Sequence, residues 1–256
     1  MKKLLSMISV IAVPAVLSSS AFAVDATPFF SVYAGAGSWS TSVSGDLGDS
    51  ETDVDDLGLD DESNTYLYVA FEHAVPFVPQ VRLEQSSVST SGSETLTETF
   101  EFSGIDYELN ADIDTEIELS FLDATLYYEL FMFDFGLTFR QFDAELSAQG
   151  TDSLTDEVVT ERESVDGVLP MLYAQTKIDL PFTGLYVTGA ANFISVDDKS
   201  VADFRGALGY EIEIPVIAKI GLELGYRSFG IDLGEEEDFA GNIEFDGAYF
   251  GLNVKF

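Results

Sequence analysis

Residues able to do chemistry are unevenly supplied in this chain: 46 Asp and Glu, one histidine and no cysteine. The histidine, His73, follows Glu72 and precedes Ala74-Val75-Pro76, a turn-forming stretch. A general base must come within hydrogen-bond reach of the proton it takes, and this turn lies at the opposite end of the pattern from the long loops. No Gly-rich phosphate loop and no His/Cys metal cluster occurs, which leaves carboxylates. The first acidic run contains Asp53, Asp55, Asp56, Asp60 and Asp61 with no basic residue. Asp53-x-Asp55 near Gly58 has the start of a calcium loop, but Leu57 stands where a third ligand belongs and Asn64 where the bidentate Glu belongs. These five aspartates are therefore candidates for weak Ca²⁺ or Mg²⁺ binding, since hard cations gather carboxylate oxygens. No other cofactor is expected. The alternative is a solvated, self-repelling surface suited to high salt, where screening shortens the repulsion.

The elements that must carry these loops show period-two alternation, the mark of strands with one apolar face. Ten are expected: Phe30–Trp39, Asn64–His73, Gln80–Val88, Glu116–Leu130, Asp134–Ala148, Val168–Leu180, Gly184–Val196, Val201–Glu213, Ile217–Ile231 and Asn242–Phe256. Their connections sort into two kinds. Ala74–Pro79, Phe131–Phe133, Pro181–Thr183 and Ile214–Val216 are tight and hold Pro76, Pro79, Pro181 and Pro215, where a missing N–H is harmless. Ser40–Ser63, Ser89–Thr115 and Gln149–Gly167 are long. Thr95, Leu96, Thr97, Thr99, Phe100 and Phe102 alternate with Glu, so the second long segment is expected to extend strands past the others. Short turns on one side and long loops on the other are the asymmetry of transmembrane barrels. The expected fold is all-β: a closed antiparallel up-and-down transmembrane β-barrel of about 10 strands, with 8 or 12 as the alternatives. A soluble exported β-sandwich is the rival.

Basic residues sharpen the choice. Without Lys2 and Lys3, nine Lys/Arg remain against 46 Asp/Glu, a formal charge of 9 − 46 = −37, which excludes nucleic acid as a partner. Arg82, Arg140, Lys177, Arg205, Lys219, Arg227 and Lys255 fall in the phase opposite the apolar face; Arg162 and Lys199 fall in expected loops. A Lys or Arg facing lipid at the bilayer midplane costs roughly 2–4 kcal/mol, so these seven belong in the lumen. An ion-pair network is expected from Arg82, Glu84, Asp123, Arg140, Lys177, Asp203, Arg205, Glu211, Lys219, Glu223 and Arg227. Ten strands enclose little space beyond side chains such as Tyr66, Tyr68, Tyr127, Tyr173, Tyr186 and Tyr249.

Both ends of the chain carry export signals. Lys2 and Lys3 lead into apolar Leu4 to Leu17, and Ala21-Phe22-Ala23 supplies small cleavage residues, so 1–23 reads as a signal peptide and 24–256 as one barrel domain. The last nine residues, AYFGLNVKF, alternate to the terminal Phe256. Tyr249, Gly251, Val254 and Phe256 resemble the C-terminal β-signal of Gram-negative outer-membrane barrels. The segment Thr65–Ser91, with its FEH, its two prolines and RLE, resembles a family of gamma-proteobacterial outer-membrane β-barrel proteins of unassigned activity. That resemblance implies an outer-membrane location, lipid and lipopolysaccharide as surroundings, and the barrel assembly machinery as a partner during biogenesis. It brings no catalytic residue.

The expected function is non-enzymatic: a structural or interaction barrel whose acidic loops gather divalent cations or contact external partners. A narrow cation-preferring pore fed by the acidic mouth and a surface hydrolase working through carboxylates are the alternatives. Neither oligomeric state nor ligand is specified by the sequence.

Overall fold

The computed structural model describes residues 29–47, 52–59, 61–97, 100–155, 157–197, 199–215, 217–232 and 241–256. The expected signal peptide lies outside them. Thirteen strands occur in chain order: β1 Phe30–Leu47, β2 Thr52–Asp53, β3 Glu62–His73, β4 Gln80–Thr95, β5 Phe100–Phe102, β6 Ile105–Tyr107, β7 Asp112–Leu130, β8 Phe133–Thr151, β9 Val158–Asp179, β10 Leu185–Val196, β11 Lys199–Ile214, β12 Ala218–Asp232 and β13 Gly241–Lys255. A 3₁₀ turn, Val54–Leu57, follows β2.

Ten of these strands, β1, β3, β4 and β7 to β13, pair each with the next, and β13 pairs with β1 from Tyr33↔Lys255 to Leu47↔Gly241. The sheet therefore closes on itself as an antiparallel up-and-down barrel, as the alternation implied. The last residue completes the closure: Phe256 N–H donates to Val32 O at 2.9 Å, and Val32 N–H to Phe256 O at 3.2 Å. Closure pairs β13 with β12 on one side and β1 on the other, so an ordered strand at the chain end has a physical cause.

Several strands run far beyond the expected limits. β1 reaches Leu47 instead of Trp39, β4 reaches Thr95 instead of Val88, and β9 begins at Val158 instead of Val168. β2, β5 and β6 were not among the ten expected strands, although the expected extension of the second long segment is present in β4 and the β5–β6 hairpin. Arg162 and Lys199, assigned to loops above, lie in β9 and at the start of β11.

The reason for the extra length is a reversal of polarity along each strand. In β7 the outward residues Leu130, Tyr128, Leu126 and Leu122 give way to Ser120, Glu118, Glu116, Asp114 and Asp112, while inward Tyr127, Thr125 and Asp123 give way to Phe121, Leu119, Ile117 and Ile113. In β8, outward Phe135, Leu137 and Phe139 give way to Gln141, Asp143 and Glu145, and inward Arg140 gives way to Phe142, Ala144 and Leu146. β12 switches between Arg227 and Ser228, and β13 between Gly247 and Asp246, at the same level. Polar inside and apolar outside becomes apolar inside and polar outside, with no break in pairing.

The half nearer the short turns thus carries a belt of exposed apolar side chains, from Leu67, Val69 and Phe71 on β3 round to Phe250 and Leu252 on β13. From Leu122 to Leu130, nine residues at about 3.3 Å each, tilted about 40°, span about 23 Å, close to the apolar band of membrane barrels. Phe77, Phe131 and Phe182 sit at the tips of three short turns with positive φ (65°, 62° and 68°) and fully exposed rings. Such a backbone is unusual for a bulky residue.

The other half encloses the hydrophobic core. Trp39, Val88, Ile113, Ile117, Leu119, Phe121, Leu146, Phe229 and Phe245 fill it from the barrel wall. Val54 and Leu57 from the 3₁₀ turn, together with Leu96, Phe100, Phe102 and Tyr107 at and around the β5–β6 hairpin, roof it over. Phe121 and Phe229 meet edge to face at 4.9 Å, and Phe229 stacks on Phe245 at 6.0 Å. Burying each such ring stabilises the fold by roughly 1.5–3 kcal/mol.

Candidate functional site

At the level where polarity reverses, two buried ion clusters cross the lumen. β8 brings Arg140 opposite Asp123 of β7, and β12 brings Arg227 opposite Arg205 of β11, two residues from Asp203. Arg140 grips Asp123 in bidentate fashion, Nε to Oδ1 at 2.8 Å and Nη2 to Oδ2 at 2.7 Å, and its Nη2 also reaches Asp203 Oδ2 at 2.6 Å. Arg227 grips Asp203 likewise, at 2.9 and 2.7 Å. All four side chains are buried. The guanidinium carbon of Arg140 lies over Phe121 at 4.9 Å, and that of Arg227 over Trp39 at 4.6 Å. Among the described residues no hydrogen-bond partner reaches Nη1 of either arginine, and the ring faces partly stand in for one.

Nearer the short turns, Glu84 bridges Arg82 (2.6 Å) and Arg205 (2.8 Å). Arg82 also lies 3.7 Å over the Tyr68 ring. At the mouth Glu211 bridges Lys177 (2.9 Å) and Lys219 (3.0 Å), and Lys219 also reaches Glu213. Of the residues expected in the network, ten form ion pairs. Glu223 is the exception: it accepts from Tyr186 OH at 2.8 Å and from Asn253 at 3.0 Å. Between the mouth and the ion clusters lies a polar cavity of about 80 Å³ with Tyr33, Tyr127, Tyr173 and Tyr186 among its walls, room for a few waters.

The other candidates fare differently. His73 is part of a turn: its N–H donates to Gln80 Oε1 at 2.8 Å, Gln80 Nε2 donates back to His73 O at 3.0 Å, and His73 Nδ1 accepts from Val75 N–H. Asp60 lies outside the described residues, as do the side chains of Asp53, Asp55 and Asp56; Asp61 is exposed. No trio of His, Cys, Asp or Glu suited to a metal occurs among the described residues. Tyr249 packs against Tyr66 edge to face at 6.0 Å, over Gly251, where a Cβ would meet the Tyr66 hydroxyl. Val254 and Phe256 face outward beside β1.

The pattern gave Asp112 and Asp114 to an acidic loop, and what it did not single out is that they belong to an acidic outer wall of strands above the belt. Asp112, Asp114, Glu116 and Glu118 on β7 lie beside Asp143 and Glu145 on β8, with Glu118 directly opposite Glu145. Its signal is the same switch of phase between Phe121 and Leu122. Tyr107, Asp152 and Asp246 at this end have shifted acidities, Asp246 raised by burial. Burial pushes the Tyr107 phenol up to about 12, and its hydroxyl donates to Ala148 O at 3.1 Å. Hydrogen bonds from Leu154 N–H (2.9 Å) and then the Thr155 hydroxyl (2.7 Å) lower Asp152.

No protein-family model and no curated protein matches the sequence. Solved structures give distant likenesses. The outer membrane protease OmpT of Escherichia coli has 8% identity and a TM-score of 0.47, covering 89% of this chain and 96% of its own. The attachment invasion locus protein Ail of Yersinia pestis has 9% and 0.35, covering 89% and 99%. The beta domain of the Bordetella autotransporter BrkA has 11% and 0.36, covering 89% and 98%. The architecture rests on the strand pairing itself.

Proposed function

We propose that this protein is a non-enzymatic barrel of the Gram-negative outer membrane, exported by cleavage after Ala23. Its lumen is closed, and its long-loop half folds outside the cell as an acidic contact module. The polarity reversal carries this reading. The apolar belt supports lipid around the lower half, since Leu208, Leu222, Leu224 and Leu252 are exposed there as part of a continuous apolar band. The upper half, acidic outside and apolar inside, has the organisation of a water-soluble domain. The segregation of short turns from long loops supports an orientation with the short turns toward the periplasm and the acidic wall outward. Lipid and lipopolysaccharide then surround the belt, and the assembly machinery would meet the strand ending in Phe256.

Closure of the lumen follows from packing. An ion crossing the barrel would have to part the Arg140–Asp123–Asp203–Arg227 cluster and then the ring stack of Phe121, Phe229 and Phe245. Partial dehydration in an apolar core costs an ion far more than thermal energy supplies. The acids of the outer wall suit divalent cations or cationic partners outside the cell. Planar-bilayer recording tests this directly: purified protein should add no conductance above the lipid baseline. Steady single-channel steps from the unmodified chain would replace the closed-lumen reading with the cation-preferring pore.

A further inference from the structure

Barrel strands separate at two places above the belt, and the two seams are treated differently. β3 and β4 pair only from Tyr66↔Ser86 to Phe71↔Val81. Above that, the chain closes its own gap: Asn64 Oδ1 accepts from Ser89 N–H at 2.9 Å, and Leu59 bridges to Gly92. The second seam lies between β9 and β10, which pair only from Tyr186↔Asp179 to Phe193↔Leu172. β9 continues upward to Val158 with β8 on one side and, among the described residues, no bonded strand on the other. Pro170, which has no N–H, sits where the pairing stops.

The parity of β9 shows which groups are left. Leu180 N–H donates to Leu185 O, so even-numbered residues of this strand turn their backbone toward β10. The register with β8 runs without a bulge from Val158 to Thr176, so the same parity holds upward. The N–H and C=O of Thr160, Arg162, Ser164, Asp166 and Val168 therefore face an open edge, a template for one more strand. Apolar side chains flank it on both faces: Val158 is 69% exposed, Val168 61%, and Val165, although in the inward phase, 56%. The charges of β8 and β9 beside it are mostly acidic. Asp143 and Asp166 stand opposite each other, Glu161 and Glu163 lie on the inner side, and the cation of β9, Arg162, is held by Glu145 at 2.6 Å; Lys199 lies across the seam at the end of β10.

We infer that the upper edge of β9 receives an extended cationic peptide segment of an external partner, which adds as a strand between β9 and the end of β10. Backbone bonds to the even-numbered residues supply the affinity, and alternating Lys or Arg beside Asp166 and Asp143 supply the selection. The inference rests on the proposed outward orientation of this half for its biology. The binding itself does not depend on it, so the test uses the full chain in detergent micelles.

The probe is a nine-residue synthetic peptide of alternating lysine and valine, with glutamate in place of lysine as the control. Amide exchange of Thr160, Arg162, Ser164, Asp166 and Val168 should slow at least tenfold with the lysine peptide and stay unchanged with the glutamate peptide. Ser164→Pro removes an edge-facing N–H and should abolish protection while the heat-dependent gel shift of the folded barrel persists. Should that variant not fold, Asp166→Lys decides, with at least a fivefold loss of affinity expected. No protection at millimolar peptide, equal protection by the glutamate peptide, or undiminished binding by Asp166→Lys would each overturn the inference. None of these outcomes bears on the conductance experiment, so the two readings fail separately.

Discussion

Asp203 is the point where removing a single charge should be felt most. Its carboxylate takes Arg140 Nη2 at 2.6 Å and Arg227 Nε and Nη2 at 2.9 and 2.7 Å, with both arginines buried. Asp203→Asn keeps the shape and removes the charge. Arg140 still has Asp123, but Arg227 loses its only ion partner among the described residues. Each charge-assisted bond contributes about 1.5–3 kcal/mol, but the three share one carboxylate and do not add. The cost of stripping one partner from a buried ion pair, about 3–5 kcal/mol, is the better guide. Against a typical domain stability of about 5–15 kcal/mol this is roughly a fifth or more. The reporter is built in, since the chain's single tryptophan, Trp39, lies under the Arg227 guanidinium. Urea unfolding in micelles, followed by Trp39 fluorescence, should show the midpoint fall sharply. Arg227→Met in the same chain removes the stranded charge and should recover most of the loss. If Asp203→Asn costs under about 1 kcal/mol, the cluster is hydrated and the lumen is not sealed there.

Leu222→Lys, on the outward face below the reversal, should cost about 2–4 kcal/mol in lipid vesicles, whereas Ser228→Lys, three turns of the pleat higher and beside Glu244, should stay within about 0.5 kcal/mol. Equal costs in equilibrium unfolding would misplace the membrane boundary. Phe245→Ala, in the ring stack of the upper core, should destabilise by about 3–5 kcal/mol; amide exchange that rises in the lower half and not around Phe229 would contradict an upper core. The Asp152 carboxyl is lowered below its ordinary 3.8 by Leu154 N–H and Thr155, so its stabilising effect is present above that value and is lost as pH falls through the folded-state value. The stability gap between the wild type and Asp152→Asn should therefore be full at pH 7 and shrink below about 3.8; a gap unchanged down to pH 2 would refute the assignment.

Where one polarity held along a strand, its fold was legible in the residues. Lys219, Glu223 and Arg227 alternating with Leu222, Leu224 and Tyr226 placed β12 up to its switch at Ser228, and the same phase put seven cations on the lumen side, six of them in ion pairs and Lys255 over the Tyr33 ring. Legibility fell off beyond the change of phase. In β7 the apolar set moves from odd residues (Ile113, Ile117, Leu119, Phe121) to even ones (Leu122, Leu126, Leu130) between adjacent positions, and the expected strand crossed that switch only as far as Glu116. Beyond the switch β4 carries no apolar residue over 89–95 and β9 few over 158–167, so both were cut short. The long-range pairs were not legible at all. Arg205 meets Glu84 across a separation of 121 residues, and no local pattern selects Glu84 over the other acids of the same phase. The open edge of β9 is an absence of pairing, with Pro170 as its one local sign.

Guanidinium chemistry explains why the reversal falls where it does. A layer that joins a wet lumen to an apolar core needs side chains with two kinds of surface. Arginine has them: donors around a planar edge for carboxylates, and a weakly hydrated face for rings. Arg140 and Arg227 use both, edge toward Asp123 and Asp203, face toward Phe121 and Trp39. Lysine offers a compact, strongly hydrated charge with no such face, and the lumen lysines Lys177, Lys219 and Lys255 all lie at the mouth, where water remains. Depth in this barrel therefore sorts the cations by type. On the closed-lumen proposal the arginine layer is a structural joint, and a channel lining would instead leave guanidinium donors facing an open path.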